Sequence, residues 1–298
     1  MGPDERVHCL NTWPDPCKNP TTHDNSCLTT PLLQCEASCK RAHLRPSPTR
    51  AQAPDVLEDL VEFFWQVRWE LGPDHIHSQR VLGHPSVNVV YEPEGMYASG
   101  ISTACFTRKL EASGDVFSAK MHPGHASRLF RTQVKSLTNQ DVPLEQLLDP
   151  ARVHAVHEAL GVASDLGARV ELMASFLLDL GAPVTPAHLK TQRIVEWIRE
   201  HPMVLRVEDV CDMFSTTQRS LQRLFALHVG VPPKWVINRY RMHEATHRLE
   251  SGEAACLTTL AHTLGYFDQA HFTRDFRAIT REAPSSYRAR SRQSSEPT

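Results

Sequence analysis

The clearest pattern along the chain is an apolar stripe that occurs twice. Val207, Val210, Cys211 and Phe214 stand at i, i+3, i+4 and i+7, and so do Leu257, Leu260, Ala261 and Leu264. That spacing puts each quartet on one face of a short helix. A tight polar turn follows each, then a second apolar segment: Leu221-Gln-Arg-Leu-Phe225 in the first copy, Phe272-Thr-Arg-Asp-Phe276 in the second. Arg223 and Arg274 correspond at a spacing of 51 residues, as do Pro233 and Pro284, and the second copy has one extra residue in its turn. The arrangement predicts two helix-turn-helix units. Small residues, Cys211 and Ala261, let the second helix cross the first closely. Gly265 tolerates the unusual φ of the turn, and Thr217 and Asp268 suit the N-caps of the second helices. A longer helix, about Pro233 to Ser251, separates the units.

Upstream the pattern changes. Leu57, Leu60, Val61 and Phe64 predict a short amphipathic helix over 55–64. From Trp65 to Val134 the chain breaks into short runs between turn residues. Val87–Tyr91 precedes Glu92-Pro-Glu-Gly95, Cys105–Leu110 precedes Ser113-Gly-Asp115, and Val116–Met121 precedes Pro123-Gly124. Such spacing predicts a small β-sandwich or barrel, its interior lined by Val89, Tyr91, Phe106, Phe117 and Met121. From Pro143 onward the pattern is helical.

The first 53 residues show no apolar period and read as a disordered leader, with Arg45–Pro54 as linker. Five of the eight cysteines lie there, Cys9, Cys17, Cys27, Cys35 and Cys39. None forms the C-x-x-C pair of a strong zinc site.

Charge sharpens the division. The net charge of −2 combines 16 Lys+Arg and 12 Asp+Glu from Thr185 onward with 16 and 22 before it. A basic C-terminal part on an acidic N-terminal part fits a nucleic-acid-binding domain joined to something else. No apolar run approaches membrane-spanning length, so the expected compartment is the cytoplasm and no membrane partner is expected. The outer face of each second helix carries Gln218, Arg219, Gln222 and Arg223 in one copy, and Gln269, Thr273 and Arg274 in the other. Arg and Gln make bidentate contacts to guanine and adenine edges in the major groove.

These residues carry a resemblance. Gly265-Tyr-Phe-Asp-Gln-Ala-His-Phe-Thr-Arg-Asp-Phe-Arg277, with Pro284 and Tyr287-Arg288, closely resembles the signature of the AraC/XylS family of bacterial regulators. Ser220-Leu-Gln-Arg-Leu-Phe225 and Gly230-Val-Pro-Pro-Lys234 resemble that family's first unit. The resemblance covers about Lys190 to Arg290. It implies a DNA-binding domain whose two units enter successive major grooves, with Thr217, Gln218, Arg219, Gln222, Arg223, Lys234, Asp268, Gln269, Thr273, Arg274 and Arg277 as the DNA-binding residues. His271 and Phe272 match positions that look structural. The chain departs from the family pattern at Ser215 and Arg281, where glycine is usual, and at Thr216, where an apolar residue is common. Arg80 to Leu148 also looks like the N-terminal domain of one subgroup of such regulators. In the wider family those domains are β-rich, often cupin-like, and sense small molecules or mediate dimers.

The expected fold is α+β: a small β-rich domain, cupin-like or a β-sandwich, then an all-α domain with two helix-turn-helix units. The expected division is leader 1–53, β-rich sensor or dimerisation domain 54–148, helical linker 149–187, DNA-binding domain 188–292 and disordered tail 293–298. The expected function is sequence-specific transcription regulation, not catalysis. Duplex DNA is the partner, with RNA polymerase, a small-molecule effector and a second copy of the chain as further candidates. No cofactor and no metal are expected.

Rival motifs are weaker. His243-Glu-Ala-Thr-His247 spells the helical metalloprotease pattern, but Glu250 and Glu253 stand where the longer form has Gly and a third His. His75-Ile-His77 with His84 lacks an evident carboxylate partner and reads as surface histidines. His122-Pro-Gly-His125 reads as a turn, with the rim of an effector pocket as the alternative. Tyr287–Arg292 is Arg-rich and reads either as a phosphate contact or as a frayed end.

Overall fold

The computed structural model describes residues 7–9, 47–72, 76–181, 183–254 and 256–295. Its strands are β1 (Val7–Cys9), β2 (Ser47–Gln52), β3 (Val61–Glu70), β4 (Ile76–Val81), β5 (Asn88–Glu92), β6 (Gly95–Ser99), β7 (Phe106–Glu111), β8 (Ser113–Met121) and β9 (Asp141–Pro143). Six form an antiparallel sheet in the order β2-β3-β8-β5-β6-β9. The other three form a small sheet, β1-β4-β7, in which β1 runs parallel to β4.

Ten helices follow or cover the sheets among the described residues: α1 (Ala126–Phe130), α2 (Pro150–Val162), α3 (Leu166–Asp179), α4 (Pro186–Glu200), α5 (Val207–Met213), α6 (Gln218–His228), α7 (Pro233–Glu250), α8 (Leu257–Thr263), α9 (Gln269–Thr280) and α10 (Pro284–Ser295). The fold is α+β, with the β-rich part first. None of the described helices is long and apolar enough to cross a membrane.

Several expectations are corrected. Residues 55–64 are not a helix: a single 3-10 turn, Asp55–Leu57, leads into β3. Leu57, Leu60, Val61 and Phe64 are buried all the same, so both readings fit the same apolar positions. Phe63, Phe64, Trp65 and Trp69 tip the choice, because aromatic side chains pack well on a pleated surface. The stretch expected as leader and linker holds two strands. β2 pairs with β3 from Ser47 to Gln52, and Val7–Cys9 pairs with Ser78–Arg80. Cys17, Cys27, Cys35 and Cys39 lie outside the described residues, as does His75. Phe106 is 42% exposed on β7, so it lines no interior, whereas Val89, Tyr91, Phe117 and Met121 are buried. At the other end α10 continues to Ser295, beyond the expected start of a disordered tail.

The interior does not divide at residue 148 or 188. One core cluster runs from Phe64, Val89 and Phe117 of the sheet through Val156, Met173 and Ile194 of the helices to Leu221, Phe225 and Tyr240 of the first unit. A second cluster gathers the second unit, with Met242, Leu260, Ala261, Phe272, Phe276 and Tyr287. Leu82, just past β4, belongs to that second cluster and is 3% exposed. Burying a leucine fully stabilises by about 1.5–3 kcal/mol. The β-rich part therefore packs on both helix-turn-helix units.

Candidate nucleic-acid interface

The two units are built alike in detail. α5 and α8 each have seven residues and bury their small inner-face residues, Cys211 and Ala261. After each, one residue takes a left-handed backbone: Ser215 at φ 45° and Gly265 at φ 74°. The second turn has glycine at its left-handed position, and a β-carbon there would lie 2.9 Å from Leu205 Cδ2, the flexible end of a side chain, so backbone freedom rather than space favours glycine. The next amide closes the turn in both, Thr216 N to Cys211 O and Tyr266 N to Ala261 O, each at 2.9 Å. This register makes Phe267 the extra residue of the second turn; it is 88% exposed.

Both expected caps form. Thr217 Oγ1 accepts from Ser220 N at 3.2 Å, and Asp268 Oδ1 accepts from His271 N at 2.7 Å. Those bonds satisfy backbone donors that the first turns of α6 and α9 leave open. The C-terminal ends differ. After α6 the chain turns at Gly230, φ 96°, where a β-carbon would sit 2.9 Å from Val134 O and Thr138 Oγ1. After α9 it turns at Arg281, φ 64°, which is exposed. The β-rich part presses on the first corner, so only glycine fits there, whereas the second corner has room for an arginine.

The exposed faces of α6 and α9 carry the expected polar residues. Arg219, Gln222 and Arg223 are exposed on α6, as are Gln269, Arg274 and Arg277 on α9, with Thr273 half-buried. The guanidinium groups of Arg219, Arg223, Arg274 and Arg277 make no hydrogen bond or ion pair to any described residue, so their donors are open to a ligand. Gln269, Ala270, Thr273, Arg274, Arg277 and Ala278 line an open depression on α9. Lys234 is turned elsewhere: its Nζ donates to Leu205 O at 2.6 Å. The buried Arg241 of α7 donates from Nε and Nη2 to Leu264 O, at 3.1 and 2.9 Å, under the ring of Tyr266. It fixes the end of α8, and nothing in the sequence pattern marked it.

A seam joins the β-rich part to both helix-turn-helix units. Ser127 Oγ and His228 Nδ1, at the end of α6, are hydrogen-bonded at 2.8 Å, and Thr138 Oγ1 donates to Gly230 O at 2.9 Å. On α7, Arg239 donates to Thr103 O at 2.8 Å, and His243 Nε2 lies 3.3 Å from Gly83 O. At the second unit Arg80 donates to Glu282 at 3.0 Å, and Arg290 holds the same carboxylate at 2.6 Å.

Burial holds the seam histidines uncharged. It pushes His125 and His188 down to about 4, helped by neighbouring Arg128 and histidines, and His243 down to about 3, helped by Arg239. His84 and His228 are lowered by burial too. The rival metal motif is thereby accounted for: His243 faces Gly83, and Glu244 pairs with Arg248 at 2.8 Å. Among the described residues no group of His, Cys, Asp and Glu is arranged to hold a metal ion. The His122-Pro-Gly-His125 turn forms, and His125 is fully buried.

A family model described as a helix-turn-helix domain matches residues 210–290, and one described as a domain of unknown function, DUF6597, matches residues 49–143. The second match begins within β2, part of the stretch expected as linker. The HTH-type transcriptional activator RhaS of Pectobacterium atrosepticum is 38% identical over 79 residues, 26% of this chain and 28% of that protein. RhaS of Enterobacter sp. strain 638 is 30% identical over 89 residues, 30% of this chain and 32% of that protein. The chain thus spans less than a third of the length of these relatives. Among solved structures, ToxT from Vibrio cholerae O395 aligns at 14% identity and a TM-score of 0.40, over 76% of this chain and 97% of that one. The xylose-binding transcription activator XylR aligns at 18% identity and a TM-score of 0.28, over 41% and 39%.

Proposed function

The C-terminal part of the chain is a helix-turn-helix domain of the AraC/XylS type, and from that premise we propose that the protein regulates transcription by reading duplex DNA with α6 and α9 in successive major grooves. One observation carries this reading. The two helices occupy equivalent places in a structural repeat, and both turn outward arginine side chains whose donors engage no described residue, beside exposed glutamines. Those side chains match the edges of guanine and adenine. α7 has 18 residues, which makes a strut of about 27 Å at 1.5 Å per residue. That length is of the order of the roughly 34 Å between successive major-groove faces.

Duplex DNA is the first partner of such a regulator, which acts where the chromosome is, in the bacterial cytoplasm. RNA polymerase, a small-molecule effector and a second copy of the chain are the partners that regulation adds. An effector alters DNA affinity only by favouring one of two arrangements of the protein. The seam is the natural place for two arrangements, because it ties the β-rich part to both reading units at once.

Selection of bound duplexes from a randomised pool by the full chain tests the reading. The expected result is a bipartite enriched site, bound with an affinity that falls steeply with salt as phosphate contacts release counterions. A pool that emerges unenriched, with no salt-dependent retention of duplex, contradicts it.

A further inference from the structure

The first residue of each reading helix is a glutamine, and each is tied to the second residue of the helix before it. Gln218 Nε2 donates to Glu208 Oε1 at 2.6 Å, and Thr258 Oγ1 bonds Gln269 Oε1 at 2.8 Å. Glu208 and Thr258 are equivalent in the repeat, as are Gln218 and Gln269, so the same tether is made twice with different chemistry.

The difference matters for what each glutamine can read. An ionised carboxylate only accepts hydrogen bonds, so Glu208 admits one orientation of the Gln218 amide, with the nitrogen toward Glu208. A hydroxyl both donates and accepts, so Thr258 permits Gln269 either orientation. Glu208 is itself held: its Oε2 lies 3.7 Å from Arg206 Nε, and its side chain is about half exposed, at 48%. Arg206 in turn is anchored through its backbone amide, which donates to Asp209 Oδ2 at 3.2 Å.

Resting on the DNA-reading function proposed above, we infer that Glu208 is a positioning residue that polarises Gln218, so that the first unit presents an acceptor to DNA while the second unit's Gln269 stays adaptable. With one N–H engaged by Glu208, Gln218 offers Oε1 and its remaining N–H. Adenine answers both, its N6 amine donating to Oε1 and its N7 accepting the N–H. Cytosine answers the first through N4. Guanine, through N7 or O6, and thymine, through O4, can take only the N–H and leave Oε1 without a donor. The favoured base is therefore one with a major-groove amine, and adenine first, because it satisfies both groups.

Affinities of the full chain for its selected site, with all four base pairs installed at each position, test this. Gln218→Ala locates the base pair by the loss of discrimination there. At that position the wild type is expected to prefer adenine over guanine by about tenfold. Glu208→Thr, which copies the second unit, should cut that preference to below about threefold while the site is still bound. In the Gln218→Ala background Glu208→Thr should change nothing at that position. Glu208→Gln, which keeps the shape but lets either amide donate, should relax the preference in the same direction and guards against a packing effect of threonine. A wild-type preference for guanine or thymine there overturns the inference, as does an undiminished adenine preference in both Glu208 variants. A wild type without preference on any duplex removes the DNA-reading function itself, a separate and recognisable result.

Discussion

His84 of the β-rich part stacks face to face on His243 of α7, ring centroids 4.0 Å apart and planes 6° from parallel. Burial lowers both pKa values, so both rings of the stack are neutral at neutral pH. Arg239 and Lys120 add to the same effect. His125, His188 and His228, in tilted and edge-on contacts, are likewise lowered by burial at the other end of the seam. The seam is thus a contact between neutral histidines in a basic setting.

Its pH dependence follows with a definite sign. Released, these histidines titrate near 6.5; in place, His125, His188 and His243 hold off protons until about pH 3 to 4. The separated state therefore binds more protons between those limits, and stability falls as pH drops through that window. Calorimetric melting temperatures should fall steadily from pH 7 to pH 4.5. His243→Phe, which retains an aromatic ring, should flatten the slope. An unchanged slope in that variant would place the acid sensitivity elsewhere.

Leu82 should behave as a residue of the second unit although it lies about 180 positions before that unit's centre. Leu82→Ala is expected to destabilise by about 2–5 kcal/mol, in the range of buried leucines. Hydrogen exchange should rise in α8 and α9 along with the region of Leu82. Faster exchange confined to the β-rich part would mean that the second unit does not depend on this contact.

Legibility followed distance along the chain. The double helix-turn-helix was readable because stripe, turn and cap lie within a few residues of one another, and Thr217, Gly265 and Asp268 do what their chemistry suggested. Residues 55–64 were misread because Leu57, Leu60, Val61 and Phe64 are buried in the observed turn and strand just as they would be in a helix. Gln218 and Glu208 were separated by only ten residues, but their meeting depends on the crossing of two helices, which periodicity does not fix. The clip between Arg80 and Glu282 spans 202 residues. Nothing local announces it.

The left-handed corner at Arg281 makes a stabilising substitution available. A β-branched or long side chain at positive φ costs about 1 kcal/mol relative to glycine. Arg281→Gly should therefore raise stability by up to about 1 kcal/mol, read from the denaturant midpoint. Its N-terminal counterpart, Asp268→Ala, should lower stability by about 1 kcal/mol through the lost cap to His271 N. A destabilised Arg281→Gly would show that the arginine side chain contributes more than its backbone strain removes.

Hydroxyl-radical footprinting of the selected duplex, with the wild type, Arg219→Ala and Arg274→Ala side by side, tests whether the two equivalent helices α6 and α9 read two successive grooves. The wild type should protect two patches on one face of the duplex, about one helical turn apart, roughly 34 Å. Arg219→Ala should weaken one patch and Arg274→Ala the other, each lowering affinity by about 1–3 kcal/mol on the selected site and far less on random DNA. A single protected patch, or two patches lost together with either arginine, would mean that the two helices do not read separate grooves.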